Sequence, residues 1–555
     1  MAGTLPTGDG DEEPAPRQLG EGGRYRLLRS LGRGAFGSVF HAVDSKYDGA
    51  VAIKLLHRRN ADALYRFKRE FRDLVDLIHP NLVRLYELSN DGERWFVVME
   101  LVDGVDLRSF LRGVGVGAAR AATVTARSNA GAATALASAP QWVEIDLPRL
   151  RATFAQFVRG IQALHAAHKL HRDLKPSNVL VAPDGRVVIL DFGLMVELDR
   201  ALGALSGPGI GTPGYMAPEQ ARDAPLSPAA DWYAVGAMLY EVLTGATPVH
   251  GATAFDDSRV PRGLRDLVDR LLAGDPRRRP DGDEILSVLE AVPSSAGSTA
   301  AFTSTGIVGR DAELRLLDRA RAEARVTPVL VRIRGVSGVG KTTLLSTWAD
   351  RVEAAGDGEW VLRGRCFEHE DVPFKAIDGV VDALAERLMA EPELVRPTLS
   401  LESLRAAARM FPVLGGLLGA APPSSDVQPR AQRDRAMAGM RELFASVAAI
   451  HPLVMCIDDA HWGDADSARV VAELLQLSAA KLLIVTSERP SAALDAFPAA
   501  LSDWLGDRAR APARDVELRE LGADDARALA AVCGSAPDDA PRIALESGGN
   551  PFFIR

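Results

Sequence analysis

Asp173, Lys175 and Asn178 in HRDLKPSN (171–178), with Asp191 in DFG (191–193), are the side-chain types needed to move a phosphoryl group from a triphosphate to an alcohol. Such a transfer needs a carboxylate to orient the incoming hydroxyl and take its proton, a cation near the moving phosphate, and ligands for Mg2+. The four residues supply these in that order. Upstream, LGRGAFGSV (31–39) carries Gly32, Gly34 and Gly37, which have no Cβ to keep backbone N–H groups away from phosphate oxygens. VAIK (51–54) follows on the next expected strand, and its Lys54 offers a point charge to the α and β phosphates once a carboxylate fixes its position. Glu70, beside Phe67 and Phe71, is the candidate for that carboxylate, and Asp73 is its rival.

A second phosphate-binding pattern lies at GVSGVGKTT (335–343). A β run over 328–334 leads into it and a helix over 342–354 leaves it, the strand–loop–helix order in which backbone donors and a helix N-terminus hold phosphates. Gly335, Gly338 and Gly340 shape the loop, Lys341 reaches the β and γ phosphates, and Thr342, followed by Thr343, ligates Mg2+. LVMCIDD (453–459) is an apolar strand ending in two carboxylates, Asp458 for Mg2+ and Asp459 for positioning water. KLLIVTSERP (481–490) gives another buried strand, with Thr486, Ser487 and Arg489 either sensing the γ-phosphate or forming a plain strand-end turn.

These residues need two frameworks. From Arg24 to Leu56, alternating β-branched residues and glycine turns read as strands, and strands resume at 82–88 and 94–101. Between them Leu64, Phe67, Phe71, Leu74 and Leu77 recur at helical spacing. Helical patterns fill 147–168 and 228–289. The acidic, Gly- and Pro-rich residues 1–23 and the Ala/Gly/Ser/Thr stretch 113–140 offer too little apolar surface to offset their ordering entropy, so a disordered tail and a flexible insertion are expected. Residues 292–306 read as a linker. The chain therefore divides into a unit at 24–291 and a unit at 307–555.

At 555 residues and a formal net charge of −9, the chain has the length of two or three domains and no basic footprint for nucleic acid. Cys366, Cys456 and Cys533 are far apart and form no CxxC pair, which argues against disulfides and structural zinc and fits a reducing cytosol. No apolar run reaches the ~20 residues of a membrane span, and the N-terminus has no signal-peptide pattern.

HRDLKPSN and DFG, together with HPNLV (79–83), GTPGYMAPE (211–219), DWYAVG (231–236) and DPRRRP (275–280), resemble the eukaryotic-like Ser/Thr protein kinases of bacteria, and the motifs match in order. The resemblance implies a bilobal α+β fold with Asp173 as catalytic base and Asn178 and Asp191 as metal ligands. It places Leu31, Val39 and Ala52 around the nucleotide and makes Met99, Glu100 and Leu101 the gatekeeper and hinge. Lys175 and Thr212 then favour Ser/Thr acceptors, Glu219 and Arg279 form a buried ion pair, and Asp231 anchors the catalytic loop. Arg172 would dock a phosphorylated activation loop, with Ser206 and then Thr212 as autophosphorylation candidates; that Ser206 is an ordinary loop serine is an equal reading.

IVGRDAEL (307–314), DDAHWGDADS (458–467) and SGGNPFF (547–553), with the second loop, resemble AAA-related or STAND-type signalling ATPases, and VPFKAIDGVVDAL (372–384) resembles fusions of such ATPases to kinases. An α/β P-loop fold with a parallel sheet and flanking helices is implied. His461 is read as structural. Because such ATPases normally continue past GNPFF, the sequence ending at Arg555 is expected to be truncated. Together the resemblances imply a cytoplasmic Ser/Thr kinase using ATP and Mg2+, a second ATP site, protein substrates, and self-assembly through the ATPase domain if anywhere. The alternative is a nucleotide-gated signalling scaffold whose kinase lobe serves for docking.

Overall fold

The computed structural model describes residues 18–33, 37–56, 61–91, 94–112, 146–190, 196–197, 212, 214–222, 224–248, 260–290, 307–391, 401–418, 429–477, 480–490, 496–506, 512–533, 535 and 539–554. Gly34, Asp191 and Ser206, the stretch 113–140 and the linker 292–306 lie outside the described residues, as do residues 1–17 of the N-terminal tail. Two compact units are present, one of residues 1–57 and 67–298 and one of residues 58–66 and 299–555.

In the first unit the strands β1 (Gln18–Leu19), β2 (Tyr25–Arg33), β3 (Gly37–Asp44), β4 (Gly49–Leu56), β5 (Leu85–Asn90) and β6 (Trp95–Glu100) lie in the order β1-β2-β3-β4-β6-β5, antiparallel throughout. Alternation explains the sheet's core: Phe40, Ala42, Val51, Ile53, Leu55, Phe96 and Val98 pack on one face with Tyr25. Helix α1 (Ala61–Leu74) packs through the buried stripe of Phe67, Phe71 and Leu74. It ends three residues earlier than its apolar spacing suggests.

The rest of this unit is mainly helical. Strand β7 (Val105–Asp106) and helix α2 (Leu107–Leu111) follow the sheet, and α3 (Leu147–Ala166) leads to the hairpin β8 (Val179–Val181) and β9 (Val187–Ile189). The expected helical span 228–289 resolves into α4 (Ala229–Thr244), α5 (Arg262–Leu271) and α6 (Gly282–Glu290). Helix α4 is buried over nearly its whole length, so its sequence shows little amphipathic contrast, whereas α5 buries only Leu264, Leu267, Val268 and Leu271.

The second unit is a five-stranded sheet with helices on both faces. Helix α7 (Asp311–Ala324) precedes β10 (Val329–Arg334), followed by α8 (Lys341–Ala355), β11 (Trp360–Arg365), α9 (Lys375–Ala390), α10 (Leu401–Met410), α11 (Pro429–Ile450) and β12 (Leu453–Asp458). Then come α12 (Ala465–Leu474), β13 (Leu482–Glu488), α13 (Ala496–Leu505), β14 (Ala513–Glu517), α14 (Ala523–Val532) and α15 (Ala540–Glu546). The strand order is β11-β12-β13-β10-β14, every pairing parallel. Val329, Val331 and Ile333 pack on Leu317, Leu344 and Trp348, whereas Leu330 faces the opposite core with Met455, Ile457 and Ile484. Covering both faces accounts for the near-continuous apolar runs in these strands. Cys366 and Cys456 are buried free thiols, and burial pushes Cys456 up to about 12, well away from a reactive thiolate.

Candidate functional site

Pairing across the first sheet brings Lys54 between Val39 and Val97 and Ala52 opposite Met99, beside Glu100 at the end of β6. Gly37 is required by close approach: a Cβ there would lie 2.3 Å from the Leu55 carbonyl oxygen. Lys54 Nζ donates to Glu70 Oε1 at 2.7 Å, while Asp73 accepts instead from Lys169 Nζ at 2.9 Å. Helix α1 thus presents one carboxylate to the sheet and the other to Lys169, two residues before the HRD loop.

That loop is built on Asp231. Wholly buried in the first turn of α4, its carboxylate accepts from the backbone N–H of His171 and of Arg172, each at 2.9 Å, and lies 2.9 Å from His165 Nε2. Arg172 sits at φ 69, in the left-handed region that a bulky residue adopts only when its surroundings impose it. Gln220 Nε2 adds a bond to the Arg172 carbonyl at 2.9 Å. Burial pushes the Asp231 carboxyl upward, but hydrogen bonding and charge from His165, with His171 and the Arg172 N–H, outweigh it and hold the group below the ordinary 3.8. The stability from this depressed carboxylate is therefore present above its unfolded value and lost as pH falls through the folded one. Asp231→Asn is expected to remove that acid-limb contribution, seen as a flatter dependence of the urea midpoint below about pH 4.

Beyond the anchored loop, Asp173 gathers three partners. Lys175 Nζ donates to Asp173 Oδ2 at 2.6 Å, and the Thr212 hydroxyl donates to Oδ1 at 2.9 Å while accepting from Lys175 Nζ at 3.1 Å. Asn178 Nδ2 donates to the Asp173 carbonyl at 2.9 Å, and the Asn178 carbonyl accepts from Leu190 N at 2.7 Å. The chain therefore enters the DFG segment directly beside Asn178. Arg279 makes a bidentate pair with Glu219, at 2.5 and 2.8 Å, and donates further to the Ala229 and Ala273 carbonyls. The arrangement can hold an alcohol against a carboxylate with an ammonium alongside.

In the second unit the loop from β10 to α8 places Gly338 at φ 80 and Gly340 at φ 99, both in the left-handed region. A Cβ on Gly338 would also meet Phe552 Cβ at 2.7 Å. Lys341, buried at the start of α8, donates to the Gly335 and Val336 carbonyls, each at 2.9 Å. Burial lowers its pKa, against the opposing charges of Asp459 and Asp458.

Asp458 ends β12, and the chain turns at Asp459, which has φ 52, so only the first carboxylate continues the strand. Ser487 Oγ donates to Asp458 Oδ1 at 2.5 Å and accepts from Asp459 N at 2.9 Å. Asp458 Oδ2 is buried and receives no hydrogen bond, with Arg365 Nε 3.9 Å away. Burial and then Asp459 push the Asp458 carboxyl upward. A buried carboxylate beside the Thr342 hydroxyl, two oxygen ligands at the end of the loop, fits a cation ligand set. Asp459 lies 3.3 Å from Arg365 Nε.

Thr486 and Ser487 are buried, whereas Arg489 is exposed at the strand's end beside the Trp462 ring. Ser487 touches the Asp458 carboxylate, and the charge of Arg489 acts on Lys341, so both alternatives for the strand end stay open. His461 is buried against Trp462.

Two further residues brace the loop from β10 to α8, and neither type nor spacing marks them in the sequence. Buried Arg310 donates to the Val339 carbonyl at 3.0 Å and the Arg519 carbonyl at 2.7 Å, tying the loop to the segment after β14. Asn550 Nδ2 donates to the Ser337 carbonyl at 3.2 Å, and Phe552 N donates to the Gly338 carbonyl at 3.3 Å. The only sequence signal was that VGR and GNPFF stood out as segments.

Comparison with known proteins agrees with this geometry. Residues 25–288 match the protein kinase domain family and residues 306–486 the AAA ATPase domain family. The chain is 32% identical over 336 residues to the serine/threonine-protein kinase PkaA of Streptomyces coelicolor, covering 55% of this chain and 57% of that one. To PknA of Mycobacterium tuberculosis it is 31% identical over 278 residues (46% and 58% covered), and to PknL of the same species 32% over 272 residues (46% and 61%). The chain thus spans about three-fifths of the length of these curated relatives. Residues 25–288 thus form a protein kinase domain of antiparallel sheet and helical lobe, and residues 306–486 belong to an AAA ATPase domain with a parallel sheet.

Proposed function

We propose that the first unit is a serine/threonine protein kinase domain that transfers the γ-phosphoryl group of ATP to protein hydroxyls, and that the second is an ATP-binding regulatory domain. The observation that carries the reading is the Thr212 hydroxyl donating to Asp173 Oδ1 at 2.9 Å with Lys175 Nζ on both groups. It is the arrangement an acceptor alcohol requires. Asp173 orients the hydroxyl and takes its proton, and Lys175 stabilises charge developing on the transferred group. Lys54, steadied by Glu70, would position the phosphates together with Gly32, Gly34 and Gly37, and Leu31, Val39 and Ala52 with Met99, Glu100 and Leu101 would frame the base. Asn178, with Asp191 of the following DFG segment, would hold Mg2+, which would offset the charge of the phosphates.

In the second unit Gly335, Gly338, Gly340 and Lys341 would cradle the phosphates of ATP with the first turn of α8, including Thr343. Thr342 and Asp458 would hold Mg2+, and Asp459 would orient water. Signal transduction in the cytoplasm, and self-assembly through the ATPase domain, complete the proposal. Among the described residues no helix is long and apolar enough to cross a membrane.

The test uses the full chain with γ-labelled ATP and Mg2+, alone and with a Ser-containing acceptor protein. Label on Ser or Thr is expected in both. Lys341→Ala is expected to weaken the second unit's nucleotide affinity at least tenfold, about 1.4 kcal/mol, while labelling of the acceptor protein persists. Binding is read by displacement of a fluorescent ATP analogue. Loss of both nucleotide binding and labelling in that variant would show that the two sites are coupled, and unlabelled protein throughout would favour the scaffold reading.

A further inference from the structure

Glu241 lies inside α4 and is 3% exposed. Such a carboxylate is stable only if its charge is met by donors. Tyr215 Oη donates to Oε2 at 2.6 Å, Arg108 Nη1 donates to Oε1 at 2.8 Å, and Arg112 Nη2 donates to the Glu241 backbone carbonyl at 3.0 Å. Tyr215 is one turn from the acceptor position, since its N–H donates to the Thr212 carbonyl at 2.9 Å and the Thr212 hydroxyl is the group held by Asp173. An unbroken run of contacts therefore leads from Asp173 through Thr212, Tyr215 and Glu241 to Arg108.

The two halves of the ion pair are unequally placed. The Glu241 side chain is 4% exposed and the Arg108 side chain 43%, so solvent meets the cation and not the anion. Arg112 is half-buried nearby, and Arg149 lies over the Phe110 ring of the same short helix at 3.7 Å. The acid on this helix, Asp106, accepts from both Ser109 N and Ser109 Oγ at its N-cap. A buried glutamate this close to the acceptor site would, left bare, favour a basic residue in the substrate. Here the chain supplies that guanidinium itself, and the exposed member of the pair, the one a substrate meets, is the cation.

We propose that Arg108, held by the buried carboxylate of Glu241, is a specificity-determining residue that makes the first unit prefer serine and threonine segments with acidic neighbours over those with basic ones. The inference rests on the protein-kinase reading above.

The test presents the full chain with matched peptides bearing one serine and, at a single position within three residues of it, Asp, Ala or Arg. At the position facing Arg108, kcat/KM is expected to favour Asp over Arg by roughly fivefold, the upper range of a solvent-exposed ion pair. Arg108→Ala bares Glu241 and is expected to reverse the order, the Arg peptide gaining and the Asp peptide losing. Equal rates for the three wild-type peptides at every position, or a wild-type preference for Arg, overturn the inference whether or not the variant folds. An unchanged ratio in folded Arg108→Ala overturns it as well. Absence of label from every peptide removes the kinase reading and this inference with it, whereas uniform label removes only the inference.

Discussion

Asp173→Ala is expected to lower transfer of labelled phosphate to protein by about 10²–10⁴-fold, the range for a lost general base. The carboxylate receives both the Thr212 hydroxyl and Lys175 Nζ, so its removal leaves an acceptor alcohol with no group to orient it and an ammonium without its counter-charge. The fold should survive, because the HRD loop is held through Asp231 and the backbone of residues 171 and 172, which the substitution does not touch. Affinity of the first unit for ATP should therefore change little, and the loss should fall on kcat. Labelling that persists at the wild-type rate would refute the assignment of Asp173.

The second large effect concerns stability. Arg279→Leu should destabilise the first unit by about 3–5 kcal/mol, because Glu219 is left as a buried charge without a partner. The Arg279 side chain is wholly buried, and its loss also strips donors from the Ala229 and Ala273 carbonyls. For a unit of this size that corresponds to a fall in Tm of roughly 10 °C, measurable by differential scanning calorimetry. A double variant, Glu219→Leu with Arg279→Leu, should recover part of the loss, since a buried pair is often replaceable by apolar groups while a broken one is not. A single variant as stable as wild type would mean that water reaches Glu219.

Much of this architecture was legible because chemistry and periodicity coincide. The apolar stripe of α1 is readable as Leu64, Phe67, Phe71 and Leu74, all buried. Choosing between Glu70 and Asp73 was beyond the pattern, because residues three apart lie on neighbouring parts of one helix surface. What separates them is the helix's rotation against the sheet, a tertiary quantity, and it gives Glu70 to Lys54 and Asp73 to Lys169. The P-loop and the strand ending at Asp458 were readable from glycine spacing and an apolar run. Arg310 was not, because an arginine bonded to carbonyls at positions 339 and 519 resembles any surface arginine until those segments meet. Glu241 is hidden for the same reason, its partners Arg108 and Tyr215 being distant in the chain.

The Lys341 ammonium, closed onto the Gly335 and Val336 carbonyls, makes full engagement of an anion at this loop an exchange reaction. Two of the three ammonium donors are held by dipolar acceptors, so a first charged oxygen can take the third, whereas any further one must displace a carbonyl and only the difference between the two partners counts toward affinity. A small monovalent anion gains little from such a swap, whereas a polyphosphate reaching several N–H groups at once recovers the loss many times over. The lysine thereby acts as a threshold, turning the loop into a discriminator of ligand valence.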